Sequence, residues 1–388
     1  MPSSVTQPGV PSSASGYDAG MWGLLLICCA ADFDRVPVES PDLRTVAADD
    51  DAKHGARVAA AKRDVGFLAS DSLGGRMRGS EGGHAAAAFL AGGLARLGWQ
   101  PFDGQFRHEF PARGAKPREL RLQNVVAVSR PLQPGEQVVL VGAHYDHVGT
   151  GRSGGSFGPR GLVHNGADDN ASGTAAVLAV ARALAARPLP ALHRPVAVAF
   201  FDGEEGGLLG SKRFADEHAD RVAAMINLDM VGQLYDDTVY VWGADTAAFA
   251  APLDAVETQL GLRLDRRAEH IKRSDHWPFF DHDTPYLMLH TGLHPRYHRP
   301  EDDADRLDYD GIVRIAAATE SLARSLADPA TDLTLRAASK TQPIVPAPPW
   351  QPWTEQAATI ERERREAAEG DADADAKNSN EAAAKAQP

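Results

Sequence analysis

Three short apolar runs, each ending in acidic or imidazole side chains, constrain this chain more than any other feature. Residues 138–143 (VVLVGA) lead into His144-Tyr145-Asp146, residues 195–201 into Asp202-Gly203-Glu204-Glu205, and residues 224–228 into Asp229. Runs of this kind, without alternating polar positions, suit strands buried on both faces of a parallel sheet. Helical spacing separates them, most clearly over residues 174–186. Strands alternating with helices predict an α/β fold, a three-layer αβα sandwich around a mixed, mostly parallel sheet. In such a sheet ligands bind beyond the carboxyl ends of the strands. The His, Asp and Glu residues after the three runs are therefore expected on one rim.

Other segments fill in the same pattern. Helices are expected over residues 54–70, 82–97, 247–260 and 312–326. Within 82–97, Ala87, Leu90, Leu94 and Leu97 recur at helical spacing and Gly98 provides a stop. Residues 106–110, 120–128, 238–242 and 286–290 read as further strands, and residues 206–214 as a helix start. The organisation expected is a leader over 1–50, a catalytic domain over 51–330, and an unstructured tail over 331–388 that is Pro-rich and then charged. Residues 21–31 (MWGLLLICCAA) have the length of a signal-peptide core but no Lys or Arg before them. Export to the periplasm or medium is the expectation, and a cytoplasmic location the alternative.

Composition excludes several functions. A net charge of −13 argues against nucleic acid or an anionic membrane as main partner. No run is long enough for an integral membrane span. The two cysteines, Cys28 and Cys29, are adjacent, so neither a disulfide framework nor a Cys-rich zinc site can be built. Any metal must be held by His and carboxylate. At 388 residues with 43% hydrophobic content, the chain is long enough for a large core, and its oligomeric state is left open.

The chemistry centres on residues 165–173, N-G-A-D-D-N-A-S-G. Alone, this is a strand-to-helix turn with capping residues. With the three runs ending nearby, the Asp168-Asp169 pair becomes the centre of a two-metal site. Asp146, two residues after His144, can accept the second ring N–H of a metal-bound imidazole. Glu204 and Glu205 leave the backbone in different directions, so one can bind metal while the other stays free as a base. An electrostatic role at a helix start is the plainer alternative for that pair. The loop containing His298 offers a further nitrogen donor, a polar turn being the plainer reading of that loop. Residues 149–164 form a long Gly-rich loop, read either as a rim of the cleft or as a flexible connection.

Several motifs together resemble the co-catalytic zinc aminopeptidases, a family that includes secreted bacterial leucyl aminopeptidases and glutamate carboxypeptidases. They are H-Y-D at 144–146, G-A-D-D-N-A-S-G at 166–173, E-E-x-G-x-x-G-S at 204–211, N-L-D-M at 227–230 and Y-H at 297–298. The stretch L-A-S-D-S-L-G-G-R at 68–76 is similar to the exported bacterial members. The resemblance covers roughly residues 55–327. It implies a peptide substrate and two zinc ions, with Mn²⁺ or Co²⁺ as possible substitutes. One ion would be held by His144, Asp229 and Asp169, the other by Glu205, His298 and Asp169. Asp169 would bridge them, since metals roughly 3.5–4 Å apart need an anion between them. Glu204 would be general base to a metal-bridging water, Asp146 would support His144, and Tyr297 would hydrogen-bond the oxyanion. Ser274, Asp275 and His276 together resemble a pocket-lining motif, although His276 can equally be a buried structural residue. The chain between Phe110 and Asn124 is too short for the protease-associated domain that many exported relatives insert. A one-zinc glutaminyl cyclase and a catalytically silent binding domain are the competing expectations.

Overall fold

Successive residues of the central strands point into two different cores. The computed structural model describes residues 43–113, 119–152 and 154–350. Along the chain these form α1 (Leu43–Leu68), α2 (Glu81–Arg96), β1 (Gln100–Pro101), β2 (Arg107–Arg113), β3 (Glu119–Val128), β4 (Val138–His144), α3 (Gly173–Ala186) and β5 (Val196–Phe201). Then come α4 (Leu209–His218), β6 (Val222–Leu228), β7 (Thr238–Trp242), α5 (Ala250–Leu260), β8 (Arg263–Arg267) and β9 (His270–Ile271). The last elements are α6 (His276–Asp281), β10 (Tyr286–His290), α7 (Tyr309–Ala327) and β11 (Ile344–Val345).

Val139, Val141, Val198, Phe200, Ile226 and Leu289 join one buried cluster with Leu68, Leu90, Leu178, Leu253 and Leu322 of α1, α2, α3, α5 and α7. Their neighbours Leu140, Ala199, Phe201, Met225 and Met288 join a second cluster with Phe214 of α4 and Phe279 of α6. A strand covered on both faces leaves room for a polar residue only where a partner satisfies it, hence the nearly unbroken apolar runs; the exception, Asn227 of β6, donates to Ser274 Oγ at 2.7 Å. The sheet has nine strands, eight of them in the order β1-β3-β5-β4-β6-β10-β7-β8, with β2 also paired to β3. Neighbours β5, β4, β6 and β10 are mutually parallel, while β3 and β7 flank them antiparallel. The three-layer sandwich with a mixed sheet is the expected one. The chain steps from β4 to β5 on one side and returns to β6 on the other. The order therefore reverses at β4, which is where such sheets open a crevice at their carboxyl ends.

Five elements had no counterpart in the sequence pattern: the two-residue strands β1, β9 and β11, and β8 and α6. β8 (RLDRR) is an edge strand, half solvated and charged, as edges often are. α6 is six residues long, too short to show a period. The tail expected from residue 331 is instead laid along the domain through residue 350. Leu333 and Ser339 are buried, β11 pairs with β9, and Leu293 N–H donates to Pro349 O at 2.9 Å. An extended segment held by single backbone hydrogen bonds leaves no periodic trace in sequence. The possible signal at 21–31 and the stretch 351–388 lie outside the described residues, as does most of the leader, although α1 already begins at Leu43. Among the described residues no helix is long and apolar enough to cross a membrane.

Candidate metal centre

His144 is the last residue of β4, Asp229 follows β6, and Glu204 and Glu205 follow β5. The segment after β10 carries His298, and the turn entering α3 carries Asp169. These side chains converge in two groups that share Asp169. In the first, His144 Nε2 lies 3.4 Å from Asp169 Oδ1 and 3.4 Å from Asp229 Oδ1. In the second, His298 Nε2 lies 2.9 Å from Asp169 Oδ2 and 3.2 Å from Glu205 Oε1. Both groups meet the distance requirements for holding a metal ion.

The turn is not a simple helix cap. Gly166 is left-handed at φ +56, Asp169 and Asn170 leave helical geometry, and the peptide between them is cis. Asn170, not Ser172, caps α3: its Oδ1 accepts from Gly173 N–H at 3.0 Å and Met230 N–H at 3.2 Å. Asp302 accepts from the N–H groups of both Asp168 and Asp169 at 3.0 Å. Asp168 points away from the donor groups, accepting from Gly232 N–H at 2.6 Å and Ser172 Oγ at 2.9 Å.

Beneath the site, the buried Arg76 donates to backbone carbonyls on both ligand-bearing loops. These are Tyr145 O at 2.8 Å, Asn165 O at 2.6 Å and Gly166 O at 2.9 Å. Burial pulls its pKa down to about 10, still high enough to keep the charge at neutral pH. Five donors in a rigid fork suit an arginine to this task.

Charge in the site is uneven. Burial alone would raise the Asp169 and Glu205 carboxyls. The imidazoles facing them outweigh it, holding Asp169 well below the usual range and Glu205 at about 2. Glu204 goes the other way: burial pushes it well up, opposed by His144 and reinforced by Glu205, Asp275 and Asp229. Ionised carboxylates among imidazoles, with no thiolate, are a donor set that suits zinc. Donors around one tetrahedral zinc at about 2.0–2.2 Å stand roughly 3.3 Å apart, and the distances here bracket that value. Glu205 Oε1 is buried without a hydrogen bond, as an atom reserved for a cation would be.

Other expectations need correction. His144 Nδ1 meets the backbone carbonyl of Asp146 at 3.2 Å, while the Asp146 carboxylate is 3.8 Å away and accepts from Glu204 N–H at 3.0 Å. Asp146 thus supports the site through its main chain and through Glu204. Asp275 and His276 are fully buried beneath the cleft rather than on its wall. His276 Nε2 meets Ile271 O at 2.8 Å, the structural alternative. Their neighbour Ser274 touches the site, donating to Asp229 Oδ2 at 2.6 Å. The loop 149–164 buttresses His298, which has a left-handed backbone at φ +54. Gly155 O faces His298 Nδ1, and Phe157 stacks on the ring at 5.2 Å. Tyr297 and Glu204 line the cleft, together with Arg273, Met288, Ala347 and Pro348.

Sequence reasoning stopped at H-Y-D and passed over His147, the next residue. Its Nδ1 lies 2.9 Å from Glu205 Oε1 and 3.8 Å from Asp169 Oδ2. The H-x-x-H spacing, His144 to His147, was the available signal.

Comparison with known proteins gives a family and a fold. The model of peptidase family M28 matches residues 124–323. Aminopeptidase YwaD of Bacillus subtilis is 31% identical over 209 residues, which are 48% of this chain and 40% of that protein. A probable leucine aminopeptidase of Arthroderma otae is 26% identical over 208 residues, 50% of this chain and 56% of the relative. The match thus spans about half the length of these relatives. The fold is that of a zinc aminopeptidase from Bacillus subtilis, with a TM-score of 0.57 at 16% identity over 71% of this chain and 97% of that one. A Porphyromonas gingivalis glutaminyl cyclase superposes with a TM-score of 0.57 at 19% identity, over 68% of this chain and 96% of that one.

Proposed function

The chain belongs to peptidase family M28, and on that footing we propose that it is a di-zinc aminopeptidase that removes N-terminal residues from peptides. The observation that carries this reading is the pair of donor groups sharing Asp169, opening on a cleft that Glu204 also lines. His144, Asp169 and Asp229 would hold one ion, and Asp169, Glu205 and His298 the other. Zinc bound there would supply Lewis-acid polarisation of the scissile carbonyl and lower the pKa of the attacking water.

The remaining work falls to the protein. Glu204, outside both donor groups, takes the proton of the attacking water and delivers it to the leaving amine. Its N–H is tethered to the Asp146 carboxylate at 3.0 Å, which fixes where the side chain starts. The Tyr297 phenol, on a ring packed 4.0 Å from that of His298, donates to the developing oxyanion. Asp302, Ser274 and Arg76 hold the ligand-bearing turns in place without touching substrate.

Hydrolysis of aminoacyl-anilides tests the proposal. Activity should vanish with chelator and return with zinc, and Glu204→Gln should lower kcat by about 10²–10⁴ while retaining the metal. Full activity in metal-free protein, or in Glu204→Gln, would refute it. The glutaminyl cyclase reading needs one zinc and no His144 ligand. The placing of His144 Nε2 at 3.4 Å from two carboxylates favours the peptidase, and an assay for pyroglutamate formation separates the two. A silent binding domain would show no turnover in either assay.

A further inference from the structure

We propose that His147 is a fourth protein donor to one of the two metal positions, so that the centre pairs a closed position with an open one. The inference rests on the zinc reading above. His147 is 1% exposed, and neither ring nitrogen makes a hydrogen bond. Its Nδ1 comes within 2.9 Å of Glu205 Oε1, itself buried and without a hydrogen bond. Two such atoms facing each other are arranged as ligands aimed at one point between them. Asp169 Oδ2 at 3.8 Å and His298, ring to ring at 5.4 Å, complete the set. The four residues form one donor group, His147, Asp169, Glu205 and His298.

The surroundings keep the ring there. A Cβ on Gly166 would sit 2.5 Å from the His147 ring, and Gly166 is left-handed at φ +56. Glycine at 166 therefore both permits the turn and leaves room for the imidazole. The His147 N–H donates to Arg76 O at 3.3 Å, tying it to the arginine that clamps both ligand loops.

Four protein donors complete a tetrahedral zinc site and leave no vacant position, as in structural sites. The group of His144, Asp169 and Asp229 has three, the number typical of a catalytic zinc. The difference assigns an anchoring role to the His147 side and exchangeable coordination to the His144 side.

Zinc titration of the full-length protein against a competing chelator, with His147→Ala alongside, tests this. The wild type should release its zinc ions in two well-separated steps. In His147→Ala the tighter step should weaken more than 100-fold and the other stay within tenfold. A smaller loss overturns the proposal, including the roughly 10–100-fold expected of a residue that only orients a ligand. Zinc X-ray absorption of the unmutated protein gives an answer that does not depend on how the variant folds. Three imidazoles per two zinc ions support His147 as a ligand, and two overturn it. Protein holding one zinc with two imidazoles keeps His147 and removes the two-metal reading. Protein that binds no zinc removes the zinc reading itself, and this inference with it.

Discussion

The two sides of the centre are held by different means. His144 and Asp229 sit at the ends of β4 and β6, adjacent parallel strands in the middle of the sheet. His298 sits in an irregular segment with a left-handed backbone, steadied by Phe157 and Gly155 from another loop. On the first side the sheet sets the position and the site follows. On the second, one loop holds another, and rigidity depends on a few contacts. Ligands on strand ends are accurate because two cores fix the strand, whereas a loop ligand needs its own local support.

The sharpest way to break this comparison is to remove the residue both sides share. Asp169→Asn should abolish tight zinc binding on both sides and peptidase activity with it, beyond the roughly 100-fold that losing an outer partner costs. Asp168→Asn should keep zinc and lose about 1–3 kcal/mol of stability, because Asp168 serves buried donors away from the donor groups. Metal analysis and thermal melts of the pair check both; the reverse pattern would shift the register by one residue.

Ser274→Ala probes the strand side alone. Asp229 loses its 2.6 Å hydrogen bond, and zinc affinity on that side should fall about 10–100-fold with the His298 side unchanged. Titration with cobalt, followed by its visible bands, distinguishes the two ions.

His276, on the helix that follows Ser274, carries a pH dependence. Burial pushes its pKa down to about 3, so the folded state resists a proton that the unfolded chain accepts near its usual value of about 6.5. Its contribution is intact above about pH 6.5 and is lost as pH falls from there toward 3. By pH 5 the loss should reach about 2 kcal/mol. Melts of chelator-treated wild type and His276→Gln at pH 7 and 5 read this as a flatter profile in the variant; parallel profiles would refute it.

Phe157→Ala, on the loop side, should have the smallest effect. Loss of the stacked ring should cost about 0.5–1.5 kcal/mol, read as a few-fold weaker zinc on the His298 side. An equal loss on the His144 side would mean that the two sides are not independently held.

The same contrast explains what could be read before folding. His144, Glu204, Glu205 and Asp229 were legible because continuous apolar runs announce central strands, and the residue after such a strand lies on the binding rim. Asp169 and His298 were legible by motif, not by periodicity. Asp302 and His147 were not singled out, and Ser274 and Arg76 entered only as members of the stretches 274–276 and 68–76. Their roles depend on where loops return in space, and no local pattern encodes that. Ser274 acts across 45 residues on Asp229, and Asp302 across 133 on Asp169. The Asp146 correction has the same origin: spacing brings His144 and Asp146 close, but only the folded backbone decides whether carbonyl or carboxylate receives the ring.

The segment that returns along the domain after α7 has one more consequence. Through Ala347 and Pro348 it forms part of the cleft wall, and it is joined to the rest by β11, by backbone hydrogen bonds, and by side chains such as Lys340, which pairs with Asp283 at 2.9 Å, and His270, which meets Ser339 O at 2.8 Å. The proposed catalytic groups, Glu204 and Tyr297, and this part of the wall, at 347–348, are thus encoded in separate stretches of the chain. Changes in a few extended residues would reshape the space proposed to receive a peptide without replacing a single proposed metal ligand. Under the proposed function, selectivity and chemistry would in that sense be separately heritable.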